Sequence, residues 1–238
     1  MTLDPDEILA IPLWINGHAY LTMAPSFFDV RDPRSGQVRR RTPMCGASEA
    51  RAAVDAAQAA LAGWAARTVG ERAALLAALG DALAEYEQHF AGMIAEETGK
   101  DTALAAAEVG EALLLLRAAA SNTETATTTG GAAVVAIVSD DSAPLLGPLR
   151  HAVPALLAGA TLVIKPSPRA PSPAFALAEL TADSDFPGGV FNVLHGDLAA
   201  IEGLCAASDV SLLLFAGDPA LGARVATIAT RHGKPFVD

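Results

Sequence analysis

The 238-residue sequence predicts an α/β fold, in which a Rossmann-like, mostly parallel sheet with helices on both faces is preceded by an N-terminal β-hairpin and a helical layer. Continuously apolar runs at residues 133–138, 161–165, 190–195 and 210–216 alternate with helical segments, which is typical of parallel strands covered on both faces. The turn pair Asn16-Gly17 predicts the hairpin. Amphipathic periodicity predicts the helical layer over residues 46–120.

Residues 1–45 form the predicted β-hairpin region. Leu13-Trp14-Ile15 precedes the Asn16-Gly17 turn. Residues 27–30 and 38–41 predict a second pair of strands, because they flank a turn that contains proline and glycine. In the helical layer that follows, the periodicity predicts helices at 49–66, with Ser48 as the N-cap, and at 70–90, 91–98 and 101–120.

Residues 132–238 form the predicted Rossmann-like β-α units. Between the apolar strands we expect helices at residues 144–158, 172–182, 198–207 and 219–232. Phe236-Val237 is expected to add a fifth strand. The stretch 121–131 is rich in Thr, Ser and Gly and predicts a flexible link. We assign all these elements to one domain, residues 1–238.

Composition excludes several classes of function. With a net charge of −11, the chain gains no counterion release from nucleic acid and is repelled by anionic membranes, so we expect neither partner. Charged residues interrupt the longest apolar stretch, and the acidic N terminus lacks the basic start of a secretory signal. Two cysteines indicate no disulfide framework. The sequence therefore predicts a cytoplasmic protein.

Several motifs follow one another in a recognisable order. They are Trp14-Ile15-Asn16-Gly17, the turn Asp32–Gly36, the series Trp64, Glu71-Arg72 and Glu97-Thr98-Gly99-Lys100, the stretch Pro148–Ser167, the segment Gly188–Val193, and the pair Gly217 and Gly222. Together they resemble the N-terminal, cofactor-binding half of the aldehyde dehydrogenase superfamily over nearly the whole chain. The resemblance implies that the family's cysteine nucleophile and glutamate base would follow the segment that ends here, so we expect no catalytic domain.

The resemblance also implies where a site would lie. It places cofactor-binding residues at Lys165, Ser167, Phe215 and Gly217. It places Ser142 where the family has an asparagine that holds the developing oxyanion, and losing one such donor typically costs about 10²–10³ in rate. Asp218 would cap its own helix and repel a phosphate at the helix N terminus. We therefore expect no NAD(P) binding or weak NAD(P) binding, and no catalytic residue.

Three residues near these positions have two interpretations each. Lys165 is either a nucleotide-binding residue or a solvated lysine at a strand end. Asp140 and Asp141 are either ligands of a divalent metal or a solvent-exposed pair. We favour the exposed pair, because the sequence offers no third ligand at a suitable spacing nearby.

The cysteines and three of the histidines have simpler interpretations. Neither Cys45 nor Cys205 aligns with the family's nucleophile, and we expect both to be buried structural cysteines. His151, His195 and His232 are scattered singly. Their spacing indicates no metal site, so we expect structural or surface roles.

Three hypotheses for the function remain open. We favour a truncated, catalytically inactive aldehyde dehydrogenase-like protein that acts as a structural or regulatory partner and associates with a catalytic dehydrogenase subunit or with itself. The alternatives are an NAD(P)-binding subunit of a split dehydrogenase and a fragment of a full-length one. A contiguous apolar patch near residues 140–147 and 215–222 would indicate a partner, whereas a polar face there would indicate a monomer.

Overall fold

The computed structural model describes residue 8, residues 10–119 and residues 132–238. It confirms the predicted α/β fold with a mostly parallel central sheet. The predicted flexible link at 121–131 lies outside the described residues. Within the described part of the chain, no helix is long and apolar enough to cross a membrane.

The strands match the predicted order. They are β1 (Leu13–Ile15), β2 (His18–Tyr20), β3 (Phe27–Arg31), β4 (Val38–Pro43), β5 (Val134–Ser139), β6 (Thr161–Lys165), β7 (Phe191–Val193), β8 (Val210–Ala216) and β9 (Phe236–Val237). The larger sheet has the order β2-β1-β7-β6-β5-β8-β9, and β3 pairs with β4 in a separate hairpin. Strands β5 to β9 are parallel, whereas β1 is antiparallel to β7.

Helices connect and cover these strands. They are α1 (Ala47–Ala65), α2 (Val69–Glu85), α3 (Glu87–Thr98), α4 (Thr102–Ala118), α5 (Leu146–Leu157), α6 (Ser172–Asp183), α7 (Leu198–Ala206) and α8 (Pro219–Arg231). Helices α1, α7 and α8 share one apolar core with the sheet. Helices α2 to α6 share a second core on the other face. Residues 46–120 therefore contribute to both faces.

Local chemistry explains why the strands form where they do. All residues of β5 and β6 are buried, as expected for strands with helices on both faces. Asn16 and Gly17 have positive φ angles of 57° and 78°, the conformation of a two-residue hairpin turn, and Ile15 pairs with His18 across it. The predicted fifth strand is confirmed, since Phe236-Val237 pairs with β8.

Two predictions about the helices were wrong. The predicted helix 70–90 is interrupted at Tyr86, whose φ of −110° and ψ of 15° are not helical and whose side chain is half exposed. The apolar pattern runs on through the break because Leu83 and Phe90 enter the same core. The N-cap of α1 is Gly46 rather than Ser48, because the Glu49 carboxylate accepts from the Gly46 N–H at 3.0 Å.

Candidate functional site

The carboxyl ends of β5 and β8 lie side by side, since Ser139 pairs with Ala216 at the end of their ladder. We call the segments at these two strand ends, residues 140–147 and 215–222, the cofactor edge. In open parallel sheets, ligands bind in the crevice at the carboxyl ends of the strands. A cavity of about 480 Å³ opens here, lined among others by Ser142, Gly147, His151, Phe215, Gly217 and Asp238.

Asp140 is the centre of the cofactor edge, and the interpretation of Asp140 as a solvent-exposed residue was wrong. Its exposed fraction is 7%. One carboxylate oxygen accepts from the Ser142 N–H at 2.8 Å and from the Ser142 hydroxyl. The other accepts from the Asp218 N–H at 2.6 Å. A buried carboxylate needs such donors, and these N–H groups account for its burial. Its neighbour Asp141 is half-buried and accepts from the Ser167 hydroxyl at 3.4 Å.

The N terminus of α8 has no N–H group left for an external anion. The N–H of Asp218 donates to Asp140, and Pro219 has none. The side chain of Asp218 accepts from Ala220 and Leu221 at 2.8 and 3.3 Å, as predicted for a self-capping aspartate. The N–H of Gly222 donates to the Asp218 carbonyl, which is the first hydrogen bond of the helix. The free donors that make a helix N terminus an anion site are therefore occupied.

The N terminus of α5, on the other side of the cavity, is occupied in a similar way. The buried carboxylate of Glu108 accepts from the N–H groups of Leu145 and Leu146 at 3.0 and 3.2 Å. The Lys100 ammonium donates to Glu108 and to the Ser142 carbonyl, both at 2.6 Å. This pairing offsets the cost of burying the Glu108 charge. Both helices that begin at the cofactor edge thus have a carboxylate of the protein at their N terminus.

Three of the residues implied by the family resemblance meet at the cavity. Ser142 is exposed, but its hydroxyl is already bonded to Asp140. Phe215 is buried, and its carbonyl accepts from Nε2 of His151 at 2.9 Å. Burial lowers the pKa of His151. Gly217 has a φ of +151°, and it packs directly against the Asp140 carboxylate. The cavity is therefore bordered by groups that already bond one another.

Lys165 does not line this cavity, and the interpretation of Lys165 as a solvated lysine was wrong. The side chain is 3% exposed, and its ammonium donates to the Gly196 carbonyl at 3.0 Å. Burial lowers its pKa to about 8, because the charged form loses hydration that one carbonyl does not replace. Ser167 is also buried, and its hydroxyl accepts from the Arg169 N–H at 3.3 Å. Both residues are bonded within the protein.

The two cysteines are buried, as predicted. Burial raises the pKa of Cys45 to about 12 and that of Cys205 to about 11. A nucleophilic cysteine needs a lowered pKa, because the thiolate rather than the thiol attacks the carbonyl. The described residues therefore place neither thiol in a reactive setting.

These residues do not fit a dinucleotide at the cofactor edge. The turn before α8 would have to receive a pyrophosphate beside the carboxylates of Asp140 and Asp218, with no unpaired N–H at the helix start. The two carboxylates would repel the negative charge of the pyrophosphate, and the N–H groups they occupy would not be available to bind it. Sequence reasoning found Asp218 but misjudged Asp140. The available signal was Gly217, a glycine that follows the neighbouring strand β8 and leaves room for a side chain.

The cofactor edge exposes small side chains of both kinds, with Ser142 and Asp218 beside Pro219 and Ala220. Among the described residues, no large apolar side chain is exposed at 140–147 or 215–222. The exposed large apolar side chains lie elsewhere, and five of them cluster in sequence at the N-terminal hairpins: Tyr20, Leu21, Met23, Phe27 and Phe28. The described residues of this edge therefore do not form the patch of large apolar side chains that would indicate a partner there.

Comparisons with known proteins agree on one family. The model of the aldehyde dehydrogenase family matches residues 21–237. The chain is 31% identical to the succinate-semialdehyde dehydrogenase [NADP(+)] of Escherichia coli, over 93% of this chain and 49% of that protein. Among solved structures, it is similar to the lactaldehyde dehydrogenase of Escherichia coli, with a TM-score of 0.87, 26% identity, and coverage of 96% of this chain and 51% of the other.

A second solved structure was determined with a cofactor. Aldehyde dehydrogenase C of Pseudomonas syringae, complexed with NAD+ and octanal, superposes with a TM-score of 0.88 and 28% identity. The match covers 99% of this chain and 50% of that one. The chain thus spans about half the length of the relatives it matches.

Proposed function

The chain belongs to the aldehyde dehydrogenase family, and we propose that it is a catalytically inactive member that acts as a structural or regulatory partner of a catalytic dehydrogenase. The observation that carries this proposal is the occupied N terminus of α8. Its donors bond Asp140 and Asp218, and both carboxylates would repel a pyrophosphate. This obstacle is local, so it would persist whatever lies beyond residue 238.

The remaining chemistry of the chain supports the same proposal. Oxidation of an aldehyde through a covalent thiohemiacetal needs a thiolate and a base. Cys45 and Cys205 are buried thiols with raised pKa values. At the position implied for oxyanion binding, the Ser142 hydroxyl donates to Asp140 instead. The groups present are therefore arranged to bond one another rather than a reacting substrate.

A partner would bind outside the cofactor edge. No large apolar side chain is exposed among the described residues of that edge, whereas five are exposed between Tyr20 and Phe28. We place the function in the cytoplasm, because the two cysteines are unpaired and buried and the chain is acidic. Association with a second copy of the chain is the other form that such a partnership could take.

The proposal is tested by recovering the tagged full chain from its own cells under mild lysis, with the tag alone as the control. We expect a catalytic aldehyde dehydrogenase to elute with the chain, and the activity of that enzyme to change when the chain is withdrawn. Recovery as a monomer, with no effect on any aldehyde oxidation in the extract, would contradict the proposal.

A second candidate is supported by the lengths of the relatives. Because the chain spans about half of them, it could be the cofactor-binding part of a split or longer dehydrogenase. In that case NAD(P) would bind at the parallel sheet and Lys165. The Asp140 carboxylate would first have to move out of the turn before α8. An immunoblot of unprocessed native cells tests the longer enzyme, which would give a band of about twice the mass of 238 residues. If the band lies at the mass of 238 residues, titration with NAD(P) separates the split subunit, which would bind the dinucleotide, from the inactive partner, which would not.

A further inference from the structure

Asp140 connects two loops that are distant in sequence. Its own N–H donates to the Ala216 carbonyl at 3.1 Å, which extends the pairing of β5 and β8 by one residue. Its side chain then reaches past the end of the ladder to the Asp218 N–H at 2.6 Å. Backbone and side chain of one residue therefore hold both ends of the turn Ala216–Asp218.

The turn is shaped to accept this carboxylate. A Cβ atom on Gly217 would lie 2.3 Å from Cγ of Asp140 and 2.4 Å from one of its oxygens. Real atoms do not approach so closely, so only glycine leaves the space in which the carboxylate lies. Gly217 has a positive φ, and the N–H of the next residue, Asp218, donates to the carboxylate in this space.

We propose that the Asp140 carboxylate is an internal ligand of the α8 N terminus, which holds the Ala216–Asp218 turn in one conformation and excludes external anions from it. A carboxylate at a helix N terminus is stabilised by the same N–H groups and dipole that attract a phosphate. Here the carboxylate belongs to the chain itself and approaches from β5, while Asp218 occupies the next two donors. The site is thus filled without any bound molecule.

This arrangement has a consequence for order at the edge. A phosphate-binding turn usually gains its last hydrogen bonds from the ligand, whereas this turn obtains them from Asp140. We therefore expect this turn to be equally well ordered with and without added NAD(P). The inference rests on the proposed function only in that both treat the α8 N terminus as closed, and it names the residue that closes it.

Amide hydrogen exchange of the full chain tests the internal ligand directly. In the wild type we expect the Asp218 N–H to exchange slowly with solvent, because it donates to Asp140. In Asp140→Ala we expect it to exchange at least about tenfold faster. The matched control is Asp141→Ala, which removes the neighbouring carboxylate that contacts Ser167 and should leave the Asp218 N–H protected. Equal exchange of the Asp218 N–H in the wild type and Asp140→Ala would overturn the inference.

Inorganic pyrophosphate tests the exclusion of anions. The double variant D140A/D218A frees the N–H groups of Asp218, Ala220 and Leu221, now without either carboxylate. We expect pyrophosphate to raise the thermal unfolding midpoint of this variant and to leave the wild-type midpoint unchanged. A rise of the same size in the wild type, or none in the double variant, would overturn the exclusion. Neither outcome depends on whether a dehydrogenase partner is found, so the two proposals can fail separately.

Discussion

The helical side of the molecule, formed by α2, α3 and α4, and the cofactor edge differ in how they use the motifs of the family. On the helical side, motif residues bond the protein's own backbone. Arg72 donates to the Leu157 carbonyl at 3.0 Å, and Glu97 accepts from the Ser172 N–H at 3.1 Å. At the cofactor edge, the positions that the resemblance assigns to substrate or cofactor carry other residues, Ser142 and Asp218, which bond within the chain.

This difference predicts how the two regions respond to substitution. A motif residue that supports the fold is needed whether or not a ligand binds, because its loss leaves buried groups unpaired. A residue that contacts only a ligand is free to change once the ligand no longer binds. Substitutions of motif residues on the helical side should therefore lower the free energy of unfolding strongly. Substitutions at the cofactor edge should change it only as far as they break contacts within the chain.

The largest effect is expected from Trp64, whose side chain joins α1 to α5. It is fully buried, stacks on Phe186 and donates from Nε1 to the Leu156 carbonyl at 3.1 Å. Trp64→Ala should lower the free energy of unfolding by about 3–5 kcal/mol in urea titration. The exposed Tyr86 supplies the control, since Tyr86→Ala should change it by less than about 0.5 kcal/mol.

A conservative pair of variants separates the hydrogen bond of Trp64 from its packing. Trp64→Phe removes a buried hydrogen bond to the Leu156 carbonyl, which keeps only its backbone donors such as the Gly159 N–H at 3.0 Å. In contrast, Nε1 of the buried Trp14 has no partner among the described residues. We expect Trp64→Phe to destabilise the protein more than Trp14→Phe by about 1 kcal/mol. Equal losses would contradict the structural role assigned to this motif.

Glu97 should make stability depend on pH. Burial raises its pKa from 4.5 to about 7. Between these values the unfolded chain releases the proton while the folded one keeps it, so stability is full below about pH 4.5 and falls as the pH rises to about 7. The loss should approach about 3 kcal/mol at higher pH.

Urea unfolding across this pH range measures the effect. Glu97→Gln cannot ionise and should give a nearly flat profile. Glu111→Gln removes an exposed carboxylate that pairs with Arg150 and is remote from Glu97, so it should keep the wild-type slope. A wild-type slope in Glu97→Gln would show that another group causes the pH dependence.

At the cofactor edge, Gly217→Ala should destabilise the protein by about 2 kcal/mol. Part of the cost is the positive φ, and part is the contact with Asp140. Gly36→Ala isolates the first part, because Gly36 also has a positive φ but no atom lies near its Cβ position. In a double-mutant cycle, Asp140→Ala should recover about 1 kcal/mol of the Gly217→Ala loss. Strict additivity would indicate that the two residues do not touch.

The smallest change in the free energy of unfolding is expected for a Lys165 variant, and this change is stabilising. Its pKa falls from 10.5 to about 8 on folding. The folded state loses its proton first as the pH rises, so stability increases between about pH 8 and 10.5 and stays at its lower level below pH 8. Lys165→Met should raise the free energy of unfolding at neutral pH by about 1 kcal/mol after loss of the bond to Gly196.

Calorimetric unfolding of both proteins at neutral and alkaline pH checks this prediction. Lys100→Met is the matched control and should destabilise the protein, because it leaves the buried Glu108 carboxylate without its cation. A loss of stability in Lys165→Met would mean that the Gly196 contact outweighs the cost of burying the charge.

Much of the fold could be predicted from the sequence, because its signals are local. Continuous apolar runs specified the parallel strands, and Asn16-Gly17 specified the hairpin. The break at Tyr86 was missed because the residues on either side keep one helical period and enter one core. Likewise, the N-cap of α1 depends on the carboxylate of Glu49, which lies inside the helix.

The candidate site was less predictable, because its main contacts join residues far apart in the chain. Asp218 was recognised because a helix cap acts on the next few residues. Asp140 was assigned to solvent, and for Lys165 a solvated position was one of two open interpretations, since aspartates in a loop and a lysine at a strand end usually are solvated. Their partners, the Asp218 N–H and the Gly196 carbonyl, are 78 and 31 positions away. No pattern in the neighbouring residues reveals those contacts.

The most direct test of the central claim is calorimetric titration of the purified chain with NAD+ and with NADP+. Because Asp140 and Asp218 occupy the α8 N terminus, we predict no binding heat with either dinucleotide up to millimolar concentration. Saturable binding of either dinucleotide to the wild-type chain would contradict the account.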